Sequence, residues 1–391
     1  MDKNNIIIKK IFALAFQNHR KNNLEAAEKL YRKILKIDPH NVVVLNNLGV
    51  ILNETSGMKK AITFFKKAVN IQDNYAEAHN NLGNAYRELG SNDEAINCYL
   101  KAIQINSNFT SAHYNLGKTF KKLKKYKEAI DSFQKVDTAK SRAQLLECIY
   151  LLKGLTIYQD KLKVITEYDP FNLRIAALAA YVSLKENIKN IYPFCKNPLD
   201  LIFIKNLKNE LNLDDRFTGN LLRLLKEIRS VWEPSSTTTK GGYQTTGNLF
   251  NIQNDIITKL KKEIEKQIIV YKENFKLNED GFIKKWPTKN YLQAWYVKMF
   301  KQGYQGAHIH PPGWLSGVFY IKVPKLLNNN EGSIKFQFFG YDYPEDENLP
   351  NLIHTPKDYD LVLFPSSLFH KTIPFSNKDE RHCIAFDLNP K

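Results

Sequence analysis

Three histidines and one arginine in the last third of the chain could hold a metal ion and an acidic ligand. His308 and His310 are two residues apart, so on a β-strand their imidazoles point to the same side. His370, 60 residues after His310, could approach them from a distant strand. Three ligands on one face of a metal leave the opposite positions open, as in non-haem iron sites that bind O2 and a co-substrate. Arg381 could bind a carboxylate of that co-substrate, because a guanidinium donates two parallel hydrogen bonds.

Short strands must position these side chains. From Asn290 onward the sequence has short aromatic and β-branched runs separated by Gly, Pro or Asn. Strands are predicted at 291–299, 317–323, 333–338, 360–363, 372–375 and 383–388. Many short strands without helices between them predict a sandwich or jelly roll, which places strands distant in sequence side by side.

This region resembles the 2-oxoglutarate/Fe(II) oxygenases, in a group common in bacteria and phages. The resemblance covers 291–389 and depends on the histidine motif at 307–311, the segment 363–370, and Glu380 with Arg381. It implies a double-stranded β-helix that uses Fe(II), 2-oxoglutarate and O2. It also implies that His308 and His370 are metal ligands and that Arg381 binds the outer carboxylate of 2-oxoglutarate. The implied reaction hydroxylates a C–H bond while 2-oxoglutarate is converted to succinate.

His310 departs from the family pattern, which usually has Asp or Glu at this position. A neutral imidazole leaves the metal more positive than a carboxylate would. We predict that His310 is the third ligand; a place beside the ligands or in the wall of the site is the alternative. Tyr296, on the preceding strand, is predicted to contact the co-substrate, with an aromatic core residue as its alternative. For the three histidines together, the alternatives are ordinary strand histidines or a zinc site.

The first third of the chain repeats with a period of 34 residues. Asn-Leu-Gly recurs at 47–49, 81–83 and 115–117, and a small residue followed four positions later by an aromatic recurs in register. This is the period of the tetratricopeptide repeat, a module that relatives of the oxygenase group often carry. Such units bury their apolar faces only by stacking, so they predict an α-solenoid with a concave face for a peptide or a partner protein.

Asn47, Asn81 and Asn115 occupy one equivalent position on successive first helices. Each amide offers a donor and an acceptor, so together they could pair with the backbone of an extended peptide. The arrangement resembles the asparagine ladder in the repeats of O-linked N-acetylglucosamine transferase. The alternative is that asparagine is simply common at this position of the repeat.

Helical periodicity continues after the repeats without their register. Helices are predicted at 142–153, 173–185, 220–231 and 255–272. The predicted α+β organisation is therefore a repeat array at 1–139, a helical bridge of degenerate repeats at 140–215, and an oxygenase jelly roll with flanking helices at 216–391. The polar stretch 235–248 is predicted to be a flexible loop or a lid.

The amino-acid composition indicates in which cellular compartment the protein works and which kinds of partner it binds. Four widely spaced cysteines favour a reducing environment over a disulfide framework. Neither a signal peptide nor an apolar run long enough to span a membrane is found, so we predict a cytoplasmic protein without a membrane partner. The net charge of +17 comes mainly from lysine in a chain rich in Asn and Ile, which favours a solvated surface over a nucleic-acid partner.

These observations favour an Fe(II)/2-oxoglutarate-dependent dioxygenase that hydroxylates a protein or peptide held by the repeats. One alternative is an oxygenase acting on a small-molecule or glycan-linked substrate, with repeats that recruit a partner. The other is a non-catalytic repeat scaffold.

Overall fold

The 34-residue register folds into helical hairpins in a computed structural model of the chain. The structure describes residues 3–55, 57–211, 215–234, 237–324, 330–341 and 343–391. The chain divides into two compact units, Met1–Lys161 and Leu162–Lys391. The predicted three-part division, with boundaries after residues 139 and 215, stays a prediction.

The first unit is an α-solenoid. Its helices are α1 (Lys3–Arg20), α2 (Leu24–Ile37), α3 (Val42–Thr55), α4 (Met58–Ile71), α5 (Ala76–Glu88), α6 (Asn92–Ile105), α7 (Thr110–Lys122), α8 (Tyr126–Gln134) and α9 (Ala139–Lys153). Helices α1 to α8 pack as four consecutive pairs, which are the four predicted repeats. The boundary between the units falls within α10 (Leu155–Tyr168).

The glycine of each Asn-Leu-Gly triplet lets the two helices of a hairpin approach closely. A Cβ atom added at Gly49 would lie 2.6 Å from the ring of Phe65, and one at Gly83 would lie 2.7 Å from the ring of Tyr99. Both distances are far below ordinary contact between carbon atoms. The glycine and the aromatic residue therefore recur in phase because each ring packs directly on a glycine backbone.

The second unit contains two antiparallel sheets and flanking helices. Its helices are α11 (Leu173–Lys185), α12 (Asp215–Glu227), α13 (Asp255–Asn274) and α14 (Gly281–Lys284). Its strands are β1 (Phe203–Asn206), β2 (Ser230–Trp232), β3 (Thr239–Thr245), β4 (Asn290–Gln305), β5 (Leu315–Lys322), β6 (Ile334–Gln337), β7 (Leu352–His354), β8 (Asp360–Pro365), β9 (Phe369–Thr372) and β10 (Arg381–Pro390).

The two sheets face each other across one apolar core. The larger sheet has the strand order β1-β8-β5-β10-β4-β3-β2, and the smaller one has the order β7-β6-β9. Val297 and Tyr320 of the larger sheet and Phe336 of the smaller sheet belong to the same buried cluster. This antiparallel arrangement is consistent with the predicted jelly roll. No helix among the described residues is long and apolar enough to cross a membrane.

Three local predictions differ from the structure. The strand expected at 372–375 lies at Phe369–Thr372, because Pro374 has no N–H to donate to a neighbouring strand. The helix expected to reach residue 231 ends at Glu227, and Ser230–Trp232 pairs with β3 instead. Within the predicted loop or lid, Thr239–Thr245 is a strand bonded on both sides, to β2 and β4. Residues 235 and 236 of that stretch lie outside the described residues.

Candidate metal centre

His308 and His370 lie directly opposite each other on neighbouring segments of the jelly roll. The backbone N–H of each donates to the carbonyl oxygen of the other, both at 3.1 Å. Residues that exchange both backbone hydrogen bonds form a direct cross-strand pair, so their side chains are on the same side. The centres of the two imidazole rings are 4.3 Å apart. The jelly roll therefore brings together two histidines that are far apart in the sequence.

His310 completes a cluster of three imidazoles. One nitrogen atom from each of His308, His310 and His370 lies within 4.8 Å of the other two. The backbone of His310 is held in place because its N–H donates to the carbonyl oxygen of Ser366 at 3.0 Å. Among the described residues, this is the only group of three or more His, Cys, Asp or Glu side chains close enough to share a metal ion.

Each imidazole of the cluster uses Nδ1 in a hydrogen bond to an oxygen that can only accept. These oxygens are Gly306 O for His308 at 2.7 Å, Leu368 O for His370 at 3.1 Å, and Asp387 Oδ1 for His310 at 2.7 Å. A neutral imidazole that carries its proton on Nδ1 has its lone pair on Nε2. The three Nε2 atoms are therefore available as metal ligands.

Burial keeps two of these imidazoles neutral. It lowers the pKa of His308 to about 3, and the neighbouring His310 acts in the same direction. The pKa of His370 lies well below its ordinary value because of burial first, and then because of the other two histidines. Metals bind the neutral form of histidine, so near neutral pH neither ring has a proton to lose on binding.

Arg381 is a buried cation that has no acidic partner in the part of the chain that the structure describes. The residue is only 2% exposed, and its guanidinium lies 4.8 Å from the centre of the Tyr320 ring. Its Nη1 faces two sulfur atoms, Cys383 Sγ at 3.5 Å and Met299 Sδ at 3.7 Å. Its Nε is buried, and within the described part of the chain it has no hydrogen-bond partner. A buried charge is costly unless it is paired, so this guanidinium indicates a site for an anion.

The histidine cluster lies between an inner and an outer cavity. Arg381 lines the inner cavity together with all three histidines and apolar side chains that include Trp295 and Phe364. The outer cavity, of about 380 Å³, is lined by His308, His310 and Tyr341, among others. A metal held by the cluster would therefore adjoin both cavities.

Tyr296 lies on the other face of its strand. Its neighbours Trp295 and Val297 face the inner cavity and the core between the sheets. Side chains alternate along a strand, so Tyr296 points away from them. Its hydroxyl is hydrogen-bonded to Nδ1 of His382 at 2.6 Å. This placement does not support the predicted contact with the co-substrate.

Sequence reasoning missed Asp387 and the two serines beside it. Asp387 Oδ1 accepts hydrogen bonds from His310 Nδ1 and from Ser316 Oγ, both at 2.7 Å, and Ser316 Oγ is also 2.8 Å from Ser366 Oγ. A signal for Asp387 was present. It interrupts the otherwise apolar run 383–388 on a face that alternation assigns to the interior. A buried carboxylate needs a partner, and the partner here is a histidine of the cluster.

In the repeat unit, the three predicted ladder asparagines occupy equivalent positions, and two of them already bond to a neighbouring repeat. Asn81 Nδ2 donates to Asn46 Oδ1 at 2.9 Å, and Asn115 Nδ2 donates to Asn80 Oδ1 at 3.0 Å. The acceptors Asn46 and Asn80 are themselves buried. One N–H of each of these two amides therefore links neighbouring repeats.

Comparisons with known proteins assign the two parts of the chain separately. Residues 293–387 match the family described as "Putative 2OG-Fe(II) oxygenase". Residues 58–90 and 83–124 match one tetratricopeptide-repeat family, and residues 14–41 and 110–142 match another. No curated protein matches the chain.

Several solved structures resemble part of the chain. MamA from Desulfovibrio magneticus is 16% identical, over 43% of this chain and 96% of that one, with a TM-score of 0.38. YrrB, described as a TPR protein with an unusual peptide-binding site, is 19% identical over 43% of this chain and 93% of that one, with a TM-score of 0.37. The pilF protein of Pseudomonas aeruginosa is 18% identical over 57% of this chain and 100% of that one, with a TM-score of 0.44.

The family matches agree with the helical hairpins of the first unit and with the histidine cluster of the second. The 2OG-Fe(II) oxygenase family implies Fe(II), 2-oxoglutarate and O2. The chain therefore carries tetratricopeptide repeats followed by a C-terminal region that matches the 2OG-Fe(II) oxygenase family.

Proposed function

We propose that this protein is an Fe(II)- and 2-oxoglutarate-dependent dioxygenase that hydroxylates a protein or peptide held by its repeats. The observation that carries the proposal is the set of residues that line one cavity. Three imidazoles with available Nε2 atoms lie there together with a buried guanidinium that has no acidic partner among the described residues. A metal and a dicarboxylate would satisfy both groups.

The donor set fits the proposed iron and co-substrate. His308, His310 and His370 would hold Fe(II) through Nε2 and leave the opposite positions open. Arg381 would bind the outer carboxylate of 2-oxoglutarate as a bidentate pair. When bound together, iron, 2-oxoglutarate and O2 supply an oxidant able to hydroxylate an unactivated C–H bond.

The protein's own residues position the metal ligands and exclude water from the site. The paired backbones of His308 and His370 fix the distance between two ligands, and each Nδ1 bond fixes a ring orientation. Apolar side chains such as Val318 and Phe364 line part of the inner cavity and would help to exclude water. The outer cavity beside Tyr341 would receive the substrate group to be hydroxylated.

An anaerobic titration of the purified protein with Fe(II) and then 2-oxoglutarate tests the proposal. We expect the weak visible charge-transfer band of the chelate, and we expect His370→Ala to abolish it. His354→Ala is a matched control, because His354 pairs with Asp360 at 3.1 Å outside the cluster, and it should keep the band. A protein that binds metal without showing the band would instead be a three-histidine centre such as a zinc site. A protein that binds no metal would contradict the proposal.

We further propose that the repeats hold the substrate through Asn47, Asn81 and Asn115. Because Asn81 and Asn115 each use one N–H between repeats, they would contact a peptide backbone through the remaining N–H and the carbonyl oxygen. Asn115 Oδ1 also receives a long hydrogen bond from Arg87 at 3.4 Å, which a peptide N–H could replace.

Replacing Asn47, Asn81 and Asn115 together by alanine should weaken peptide-stimulated succinate release. A neutral hydrogen bond contributes about 0.5–1.5 kcal/mol, so losing three should weaken peptide binding by about tenfold or more. The measurement compares a peptide pool with a metabolite pool, and turnover without substrate is the control. Stimulation by metabolites alone would favour the small-molecule or glycan-linked substrate and would exclude the ladder.

We assign catalysis to residues 216–391, the repeat array to 1–139, and a bridge of degenerate repeats to 140–215. A cytoplasmic location and the lack of a nucleic-acid partner also stay predictions.

A further inference from the structure

We propose that Asp387 is a positioning residue that supplies, through His310, the negative charge that a carboxylate ligand would bring to the metal. The inference rests on the proposed function, because it concerns the metal that the three histidines would hold. It assigns a role to a carboxylate that neither contacts the metal position nor belongs to the predicted ligand set.

The carboxylate of Asp387 is held against His310 from two sides. Its Oδ1 accepts from His310 Nδ1 and from Ser316 Oγ, both at 2.7 Å. Asp387 and Ser316 are direct partners on β10 and β5, so both side chains face the interior. A Cβ atom added at Gly313 would lie 3.2 Å from Asp387 Cγ and 2.7 Å from Ser366 Oγ, so the backbone also packs closely here.

Within the described residues, no lysine or arginine side chain pairs with the carboxylate of Asp387. Asp387 is 8% exposed, and its one ion-pair contact among the described residues is with His310. A buried carboxylate is costly unless it is paired. A divalent metal on Nε2 of the same imidazole would place positive charge on the opposite side of the ring. Asp387 and the metal would then stabilise each other through His310.

The other two cluster histidines have no carboxylate partner among the described residues. His308 and His370 donate from Nδ1 to neutral backbone carbonyl groups, of Gly306 and Leu368. Of the three cluster histidines, only His310 donates to a carboxylate within the described part of the chain. An imidazole hydrogen-bonded to a carboxylate is a stronger metal ligand than one bonded to a neutral acceptor. His310 and Asp387 together thus act as one anionic ligand, with the charge one imidazole further from the metal.

Metal affinity measured with Co(II) tests this role without depending on turnover. The proteins to compare are the wild type, Asp387→Asn, and Asp360→Asn. Asparagine keeps one oxygen that can accept from His310 and removes the negative charge. Asp360 is a matched control, since it is also buried and also bonds a histidine, His354. We expect Asp387→Asn to weaken Co(II) binding by about 10- to 100-fold and to shift the visible Co(II) bands, and Asp360→Asn to do neither.

A double variant covers the case in which Asp387→Asn folds poorly. His310→Asp combined with Asp387→Asn returns the carboxylate to the ligand position, so it should bind Co(II) at least tenfold more tightly than Asp387→Asn alone. If Asp387→Asn proves unfolded by circular dichroism, the double variant should instead bind within about threefold of the wild type.

Each outcome separates this inference from the proposed function. A wild-type protein that does not bind Co(II) would contradict the proposed metal site itself. A wild type that binds, together with a folded Asp387→Asn variant of unchanged affinity and spectrum, would overturn only the role of Asp387. A double variant that binds Co(II) more weakly than the two limits given above would also overturn the role of Asp387.

Discussion

Arg381→Ala is expected to raise the 2-oxoglutarate concentration needed to form the iron chelate by about two orders of magnitude. Truncating one partner of a buried, hydrogen-bonded charge pair costs about 2–5 kcal/mol, and each 1.4 kcal/mol is tenfold. Among the described residues, the guanidinium contacts the Tyr320 ring and the sulfur atoms of Cys383 and Met299, so no second cation there can replace it. The measurement is the half-saturation point of the charge-transfer band in an anaerobic titration.

Two further variants distinguish the charge of Arg381 from its planar geometry, and both from a general disturbance of the site. Arg381→Lys keeps the positive charge but not the planar fork, so its half-saturation point should lie between those of the wild type and Arg381→Ala. Arg174→Ala removes an arginine that lines the outer cavity and stacks on Tyr341 at 5.3 Å, so it should leave the half-saturation point unchanged. Fe(II) affinity without 2-oxoglutarate should be the same in all of them. An Arg381→Ala variant with wild-type half-saturation would remove Arg381 from the co-substrate site.

The metal-free protein is expected to lose stability steeply as the pH falls below about 6.5. In the unfolded chain His308 has its ordinary pKa of 6.5, whereas in the folded protein its pKa is about 3, so the unfolded chain binds a proton first. His370 behaves in the same way, because its folded pKa also lies well below the ordinary value. His308 then removes about 1.4 kcal/mol of unfolding free energy per pH unit, or about 2 kcal/mol between pH 6.5 and about pH 5, and His370 lowers the unfolding free energy further in the same direction. Above pH 6.5 this stability is fully present.

Tryptophan fluorescence during urea unfolding, with a chelator present, measures the stability of the second unit, which contains the histidine cluster. All four tryptophans, at positions 232, 286, 295 and 314, lie in the second unit. His370→Phe places an apolar ring against Phe336 and Phe364 and removes one titrating group, so it should flatten the pH dependence. His382, whose pKa burial lowers to about 4, contributes in the same direction in every variant. Equal unfolding free energies at pH 7 and pH 5 would show that the imidazoles are not buried as neutral groups.

The repeat array could be predicted almost entirely from the sequence. The fold of each repeat depends on contacts within one helical hairpin and with the neighbouring hairpins. The sequence pattern that encodes it is therefore local and recurs from repeat to repeat. The same local logic predicted the helix at 173–185 to the residue, because apolar periodicity reports the buried face of a helix. What the pattern did not show is that Asn81 and Asn115 already bond to buried asparagines of the preceding repeats.

In the C-terminal domain, the sequence by itself predicted the chemistry, and the tertiary structure decided the surroundings of the candidate site. Residue type, spacing and the family resemblance singled out the three histidines that the structure brings together and the arginine that it buries, because metal ligands and carboxylate-binding groups come from few residue types. Only the folded sheets showed that Asp387 meets His310 and that Tyr296 faces away from the cavity. The physical reason is register: one residue along a strand reverses the face of a side chain, and the register between distant strands is set by the packing of the whole core.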